Sequence, residues 1–310
     1  MCDDYWRFAM NLAVTPSAPA QLERLAMACG IPYRTGSPPT PHRFRTRGGV
    51  TLSFLDWAGE GAPVLFLHGG SLTAHTWDLV CLALSDRFRC IAIDLRGHGE
   101  SEWADDYRID THVMDVGATI AHFGWKSVHL VGMSLGAVIA AHYAASGGAR
   151  IASLTMVDTG PAPDFEATAG MRSFLAQPIA HLTLQKLTEA AVKQAARGEH
   201  DKIFYRYMHM TRVAPDGRLS WRHDQQRRRP ADYAHVLNKI EDLPALARAV
   251  PCKVLIVRGG RSRIITDEKA AAFAARFREG RWITIPDAGH NVQEDNPVAL
   301  ARALRTFLPS

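Results

Sequence analysis

Val128-His129-Leu130-Val131-Gly132-Met133-Ser134-Leu135-Gly136-Ala137 is the stretch on which the reading of this chain turns. An apolar β-type run ends in a serine with a glycine two positions before it and another two positions after it, and small helix-forming residues follow. A serine on so sharp a strand-to-helix turn sits in strained backbone. Side chains at the two flanking positions would collide with the neighbouring strand and helix, and glycine removes the collision. The hydroxyl of Ser134 then stands clear at the end of the sheet. Beside it lie the backbone N–H of Leu135 and a helix N-terminus, both suited to meet an oxyanion. Five positions alone also fit an ordinary strand-to-helix connection with an incidental serine, so the surroundings carry the argument.

Those surroundings come in a telling order. Upstream, Pro63-Val64-Leu65-Phe66-Leu67 reads as a buried strand that runs into His68-Gly69-Gly70-Ser71. Glycines after a strand let backbone N–H groups point into a site unobstructed, which makes Gly70 the candidate second oxyanion donor after Leu135. Cys90-Ile91-Ala92-Ile93-Asp94 is another strand, followed by Leu95-Arg96-Gly97-His98-Gly99-Glu100-Ser101. Near the end of the chain, Trp282-Ile283-Thr284-Ile285-Pro286 leads into Asp287-Ala288-Gly289-His290. A histidine in a glycine-containing loop after a last strand can reach over the sheet edge toward Ser134.

With these four elements in place, the chain resembles the α/β-hydrolases over most of residues 45–310. The resemblance implies a mostly parallel sheet flanked by helices, with a helical lid inserted after strand six. It also implies Ser134 as nucleophile and His290 as general base. The acid is where the chain departs from the commonest family pattern. That acid usually follows strand seven, here in the stretch Lys253 to Ile265, but the expected position, three after the first glycine, holds Ser262, with Arg263 after it. The next carboxylate, Asp267, sits where a helix starts, and helix-dipole complementarity explains it. Some branches place the acid after strand six instead, and Ile151 to Val157 is followed by Asp158. Asp158 is therefore the expected triad acid, able to hold the histidine tautomer and stabilise the imidazolium. A structural aspartate bonded into the Thr159-Gly160-Pro161 turn is the alternative.

Composition bounds the rest. A chain of 310 residues with interleaved strands and helices suits one α/β domain with an insertion. Residues 1–44 are read as an N-terminal extension with helical character over Tyr5–Val14 and Ala20–Cys29, residues 45–159 and 233–310 as the hydrolase core, and 160–232 as the lid. A surface-packed segment is the plainer reading of the extension; a homodimer contact or a pocket flap is the functional one. Five cysteines without paired spacing argue for reduced thiols and a cytoplasmic location. No apolar segment reaches the roughly 18 residues that a membrane span needs, and the start lacks a basic, signal-like region.

Lys and Arg outnumber Asp and Glu between 160 and 232, so most of the net charge of +5 sits in the lid. Arg222, Arg227, Arg228 and Arg229 cluster there. Arg229 is a candidate for pairing with an anionic substrate, against the plainer reading of a solvated basic face. The charge comes without a nucleic-acid-binding module, and no nucleic-acid or membrane partner is expected. Met133, Trp77 and Trp103 are candidate pocket residues, although the tryptophans suit a core equally well. His98 is expected to shape its turn. His75, His112, His122, His129 and His142 lack metal-ligand spacing, and no phosphate-binding glycine loop ends a strand, so neither a metal nor another cofactor is expected.

The expected chemistry is hydrolysis of a small-molecule carboxylic ester or amide through an acyl-enzyme. Among relatives, the strand-six acid and the Arg-Gly-x-x-Ser-basic run resemble the acetamidomethylene-succinate hydrolases. A C–C bond hydrolase of ring-cleavage products and a catalytically silent small-molecule-binding member of the fold are the alternatives. Serine at the elbow argues against carboxylate-nucleophile dehalogenases and epoxide hydrolases.

Overall fold

A computed structural model describes residues 17–33, 39–147, 150–164, 166–195, 200–214, 216, 218–225 and 230–309. The helix expected over Tyr5–Val14 lies outside them. An eight-stranded sheet forms the centre, built from β1 (Thr40–Arg45), β2 (Thr51–Asp56), β3 (Pro63–Leu67), β4 (Arg89–Ile93), β5 (Ser127–Met133), β6 (Arg150–Val157), β9 (Lys253–Gly259) and β10 (Gly280–Ile285). Their order is β1-β2-β4-β3-β5-β6-β9-β10. The β1–β2 and β2–β4 pairs are antiparallel and the others parallel. This is the α/β-hydrolase fold that the resemblance implies. The stretch expected to precede the fold contributes β1 to the sheet edge.

The central strands carry the most continuous apolar runs because both of their faces are covered. One face packs against α1 (Ala18–Ala28), α2 (Asp78–Leu84) and α12 (Pro297–Phe307) through residues such as Leu22, Leu84 and Leu300. The other holds α3 (Ile109–His122), α4 (Leu135–Ala145) and α10 (Asp267–Ala274), with Val116, Ile139 and Phe273 in its core. Helix α4 is apolar on every side, and Ala137 to Ala141 are buried, as befits a helix enclosed by the sheet and by its neighbours.

Between β6 and β9 the strand–helix alternation is interrupted by α5 (Ala169–Leu175), α6 (Leu184–Ala195), α7 (His200–Met210) and α8 (Pro230–Glu241), with α9 (Leu243–Leu246) leading back to the sheet. This insertion also holds a small antiparallel pair, β7 (Thr211–Val213) with β8 (Leu219–Trp221), that a purely helical reading did not include. β-Branched Thr211 and Val213 suit it to extended backbone. Among the described residues no helix is long and apolar enough to cross a membrane.

Two glycines let α4 meet β5 and β3. A Cβ on Gly132 would lie 2.4 Å from the Gly136 carbonyl oxygen, and one on Gly136 would lie 2.2 Å from that of Leu67. Both obstacles are backbone and cannot swing aside. Gly136→Ala is therefore expected to destabilise the fold by about 2 kcal/mol or more, despite alanine's higher helix propensity. A chemical-denaturation comparison with the parent chain checks this, and an unchanged midpoint would contradict the close approach.

Candidate active site

Adjacent strand ends bring two polar groups to one edge of the sheet. Ser134 caps α4 with φ of 50°, and its N–H donates to the Val157 carbonyl at 3.0 Å. Asp158, one residue past β6, has φ of 47°, and its N–H donates to Val257 at 2.7 Å. Left-handed backbone is costly for residues with a Cβ, by about 1–2 kcal/mol each. Here hydrogen bonds to the neighbouring strand hold both residues in it.

The Asp158 side chain is wholly buried, and three donors converge on its carboxylate. His290 Nδ1 lies 2.8 Å from Oδ2, the Ser262 hydroxyl donates to Oδ2 at 2.5 Å, and the Gly259 N–H donates to Oδ1 at 3.0 Å. Ser262 thus occupies the usual acid position without replacing the acid, and it donates to the carboxylate supplied by the other strand. Its Oγ accepts the Ile264 N–H at 3.2 Å, which leaves its proton for Asp158. Arg258 holds this loop in shape, donating from Nε to the Ile265 carbonyl at 3.1 Å and from Nη2 to that of Ser262 at 2.8 Å.

His290 rides on the loop between β10 and α11 (Val292–Asp295). That loop is laced to the end of β9, since Gly260 N–H donates to Ile285 and Arg261 N–H to Ala288, both at 2.8 Å. A Cβ on Gly259 would sit 2.1 Å from the Gly289 carbonyl oxygen, so glycine is what lets the histidine loop lie against the strand. Gly289 N–H donates to Asp295 at 2.7 Å and pins the residue before the histidine.

On the other side of Ser134, two buried histidines shape the Gly69–Ser71 loop. His98 Nδ1–H donates to the Arg96 carbonyl at 2.9 Å, and its Nε2 accepts the Ser71 N–H at 3.2 Å. His68 accepts the Leu95 N–H at 3.0 Å, and its ring meets that of His98 edge-on with centroids 4.9 Å apart. Asp94 completes the scaffold, accepting from Ala74 N–H at 2.7 Å and Glu100 N–H at 3.0 Å. Burial pushes its carboxyl up to about 6, outweighing the Ala74 hydrogen bond and the charges of His75 and Arg222.

Ser134, His290, Gly70, Leu135 and Met133 all line one cavity of about 440 Å³ between the sheet edge and the insertion. Much of its wall is apolar, with Leu72, Val138, Leu175, Met210, Val236 and Ile264 among the contributors. Neither tryptophan expected at the pocket is there. Trp77 is fully buried in the core against Phe66, with ring centroids 5.2 Å apart, and Trp103 is 52% exposed on the surface. Arg229, with Arg227 and Arg228, lies outside the described residues. Arg222 pairs with Glu100 and donates to the Thr211 carbonyl at 2.7 Å, so it ties the insertion to the loop after β4. Among the described residues the cavity's arginines are Arg172 and Arg206, and Arg206 is ion-paired with Glu294. No sequence motif announced either residue.

Comparison with known proteins agrees with this architecture. The family model of the alpha/beta hydrolase fold matches residues 62–297. Esterase Rv0045c of Mycobacterium tuberculosis is 31% identical over 287 residues, covering 87% of this chain and 90% of its own. A solved structure of that esterase, described with its transition-metal inhibition, superposes with a TM-score of 0.75 at 27% identity, covering 96% of this chain and all of its own. The structure of E-2-(acetamidomethylene)succinate hydrolase gives a TM-score of 0.76 at 25% identity, over 88% of this chain and all of its own.

The raised Asp94 carboxyl predicts a pH signature. Its folded-state value lies above that of an unfolded aspartate, so folding favours the protonated form. The stability this confers is full below about pH 4 and is lost as pH rises through about 6, a change on the order of 3 kcal/mol. Urea unfolding between pH 4 and 7 should show this decline superimposed on the other titrations, and Asp94→Asn should remove it. An unchanged slope in the variant would refute the assignment.

Proposed function

The chain belongs to the alpha/beta hydrolase family, and on that premise we propose that it is a serine hydrolase of small carboxylic esters with apolar acyl groups. It is an enzyme that hydrolyses esters or similar small molecules. The observation that carries the finer reading is the 2.8 Å contact between His290 Nδ1 and the buried Asp158 carboxylate, on a cavity that Ser134 also lines.

The chemistry follows from that contact. With Nδ1–H donated to Asp158, the imidazole presents Nε2 as a base, and the tautomer is held. His290 takes the Ser134 proton as Oγ attacks the ester carbonyl, and the imidazolium formed is offset by the Asp158 carboxylate. Gly70 and Leu135 N–H groups stabilise the tetrahedral oxyanion. His290 then protonates the departing alcohol, leaving an acyl-enzyme on Ser134. Water activated by the same imidazole attacks the acyl group and releases the acid. Ser262 positions Asp158, and residues 160–232 act as a lid that shapes the acyl pocket. An ester with an apolar acyl group is favoured over a carboxylated amide because of the wall's composition. Arg206 is already matched by Glu294, and Arg172 has interactions of its own.

A fluorophosphonate probe tests the reading. Ser134 should label rapidly in the parent chain, not at all in Ser134→Ala, and at least about a thousandfold more slowly in Asp158→Asn. Ser262→Ala should keep the label but slow it by about tenfold, the worth of a hydrogen bond to a charged group. A folded parent chain that never labels would overturn the proposal and favour a silent binding protein. Across p-nitrophenyl esters from acetate to hexanoate, kcat/KM should rise by up to about fourfold per methylene. A fall along that series would contradict the apolar acyl pocket.

A further inference from the structure

One cluster of metal-ligating side chains has no part in the hydrolytic chemistry. His75 lies in the 3-10 turn Ala74–Trp77 after the Gly69–Ser71 loop, Asp78 opens α2, and His209 comes from α7 in the insertion. A donor atom from each lies within 4.8 Å of the other two. In the sequence His75 lacks metal-ligand spacing to His112, His122, His129 or His142. The fold supplies its partner from a segment more than a hundred residues away, which no local spacing could announce.

The cluster's existing bonds leave ligating capacity unused. His75 Nδ1 lies 2.8 Å from Asp78 Oδ2, which also accepts the Tyr205 hydroxyl at 2.5 Å. Asp78 is 1% exposed, yet its Oδ1 has no hydrogen-bond partner among the described residues, and neither has the buried Nε2 of His209. A buried polar atom left without a partner costs about 1–3 kcal/mol. The imidazoles of His75 and His209 stack with centroids 3.6 Å apart and planes 22° from parallel, so one ring must turn for a nitrogen of each to meet a single ion. A small cavity of about 30 Å³ adjoins the three side chains and is also lined by Tyr205, Arg206 and Glu294.

We propose that His75, Asp78 and His209 bind a divalent transition-metal ion of the Zn²⁺ class, fastening the insertion helix α7 to α2. Two imidazoles and one carboxylate suit Zn²⁺, Co²⁺, Ni²⁺ or Cu²⁺, whereas Mg²⁺ and Ca²⁺ prefer all-oxygen shells. The Tyr205 hydroxyl on Asp78 would orient the carboxylate from the outer shell. Leu72, Arg206 and Met210 line both this cavity and the larger one that holds Ser134, so the ion would stiffen a shared wall. The inference does not rest on the hydrolytic reading, because its readout is binding.

Calorimetric titration of the full chain with ZnCl2, and with MgCl2 as control, tests it. One Zn²⁺ should bind per chain at micromolar concentration, and Mg²⁺ should give no heat. His75→Gln and His209→Gln should each weaken Zn²⁺ at least about tenfold, while His290→Ala should bind it unchanged. Anomalous diffraction from Zn²⁺-soaked crystals of the parent chain should place the ion between the three side chains, whatever the folding of the variants. Absence of binding, an anomalous peak elsewhere, or binding lost in His290→Ala but kept in His209→Gln would overturn the proposal. In that case His75 alone would be serving as the counter-charge to Asp78.

Discussion

The backbone-to-backbone approach of β5 and α4 is the constraint on which the site depends. Gly132 allows it, Gly136 lets the same helix lie against β3, and Ser134 sits in left-handed backbone at the turn between them. Once the serine is placed there, its N–H is committed to the end of β6, and Asp158 follows one residue later in the same backbone region. Local strain is thus shared between two neighbouring strand ends and absorbed by ladder hydrogen bonds that a central sheet provides in any case. The site's geometry follows from sheet packing before any side chain is considered.

A second layer of polar contacts holds the cavity together. The insertion is moored by long-range ties: Tyr107 donates to Asp224 at 2.6 Å, Tyr205 to Asp78 at 2.5 Å, and Arg206 and Arg222 pair with Glu294 and Glu100. Each tie ends on a loop or short element beside the sheet edge rather than in the hydrophobic core. The insertion meets the sheet edge through such specific, individually replaceable contacts, while apolar residues fill the space between. Placement of the insertion and the apolar lining of the cavity therefore fall largely to different residues. Arg206 bridges the two groups, since its pair with Glu294 also faces the cavity.

What could be read from the residues followed how local their signal was. The elbow, the Gly-His loop and the Asp158 strand end each announce themselves within a few positions, because strand periodicity and obligatory glycines are short-range features. Trp77 and Trp103 did not, since a large aromatic near a loop suits a pocket, a core or a surface equally, and only packing decides. Ser262 was noticed as a missing acid. Its role as a donor to Asp158 depends on a pairing 104 residues apart, beyond the reach of any motif. His209 and Arg206 belong to an amphipathic helix whose sequence shows which residues face inward but not what they face.

The separation between the partners at the site also bears on how the molecule is made. His290 and Asp158 stand 132 positions apart, and the histidine loop docks onto β9, which itself pairs with β6. Contacts of such high sequence separation form late, because loop closure must precede them. During vectorial synthesis the Ser134 elbow can take shape while His290 is still inside the ribosome, so the residues of the proposed triad come together only late. On the proposed function, chemical competence arrives with the closing of the sheet edge, making it a built-in indicator that the chain has finished folding.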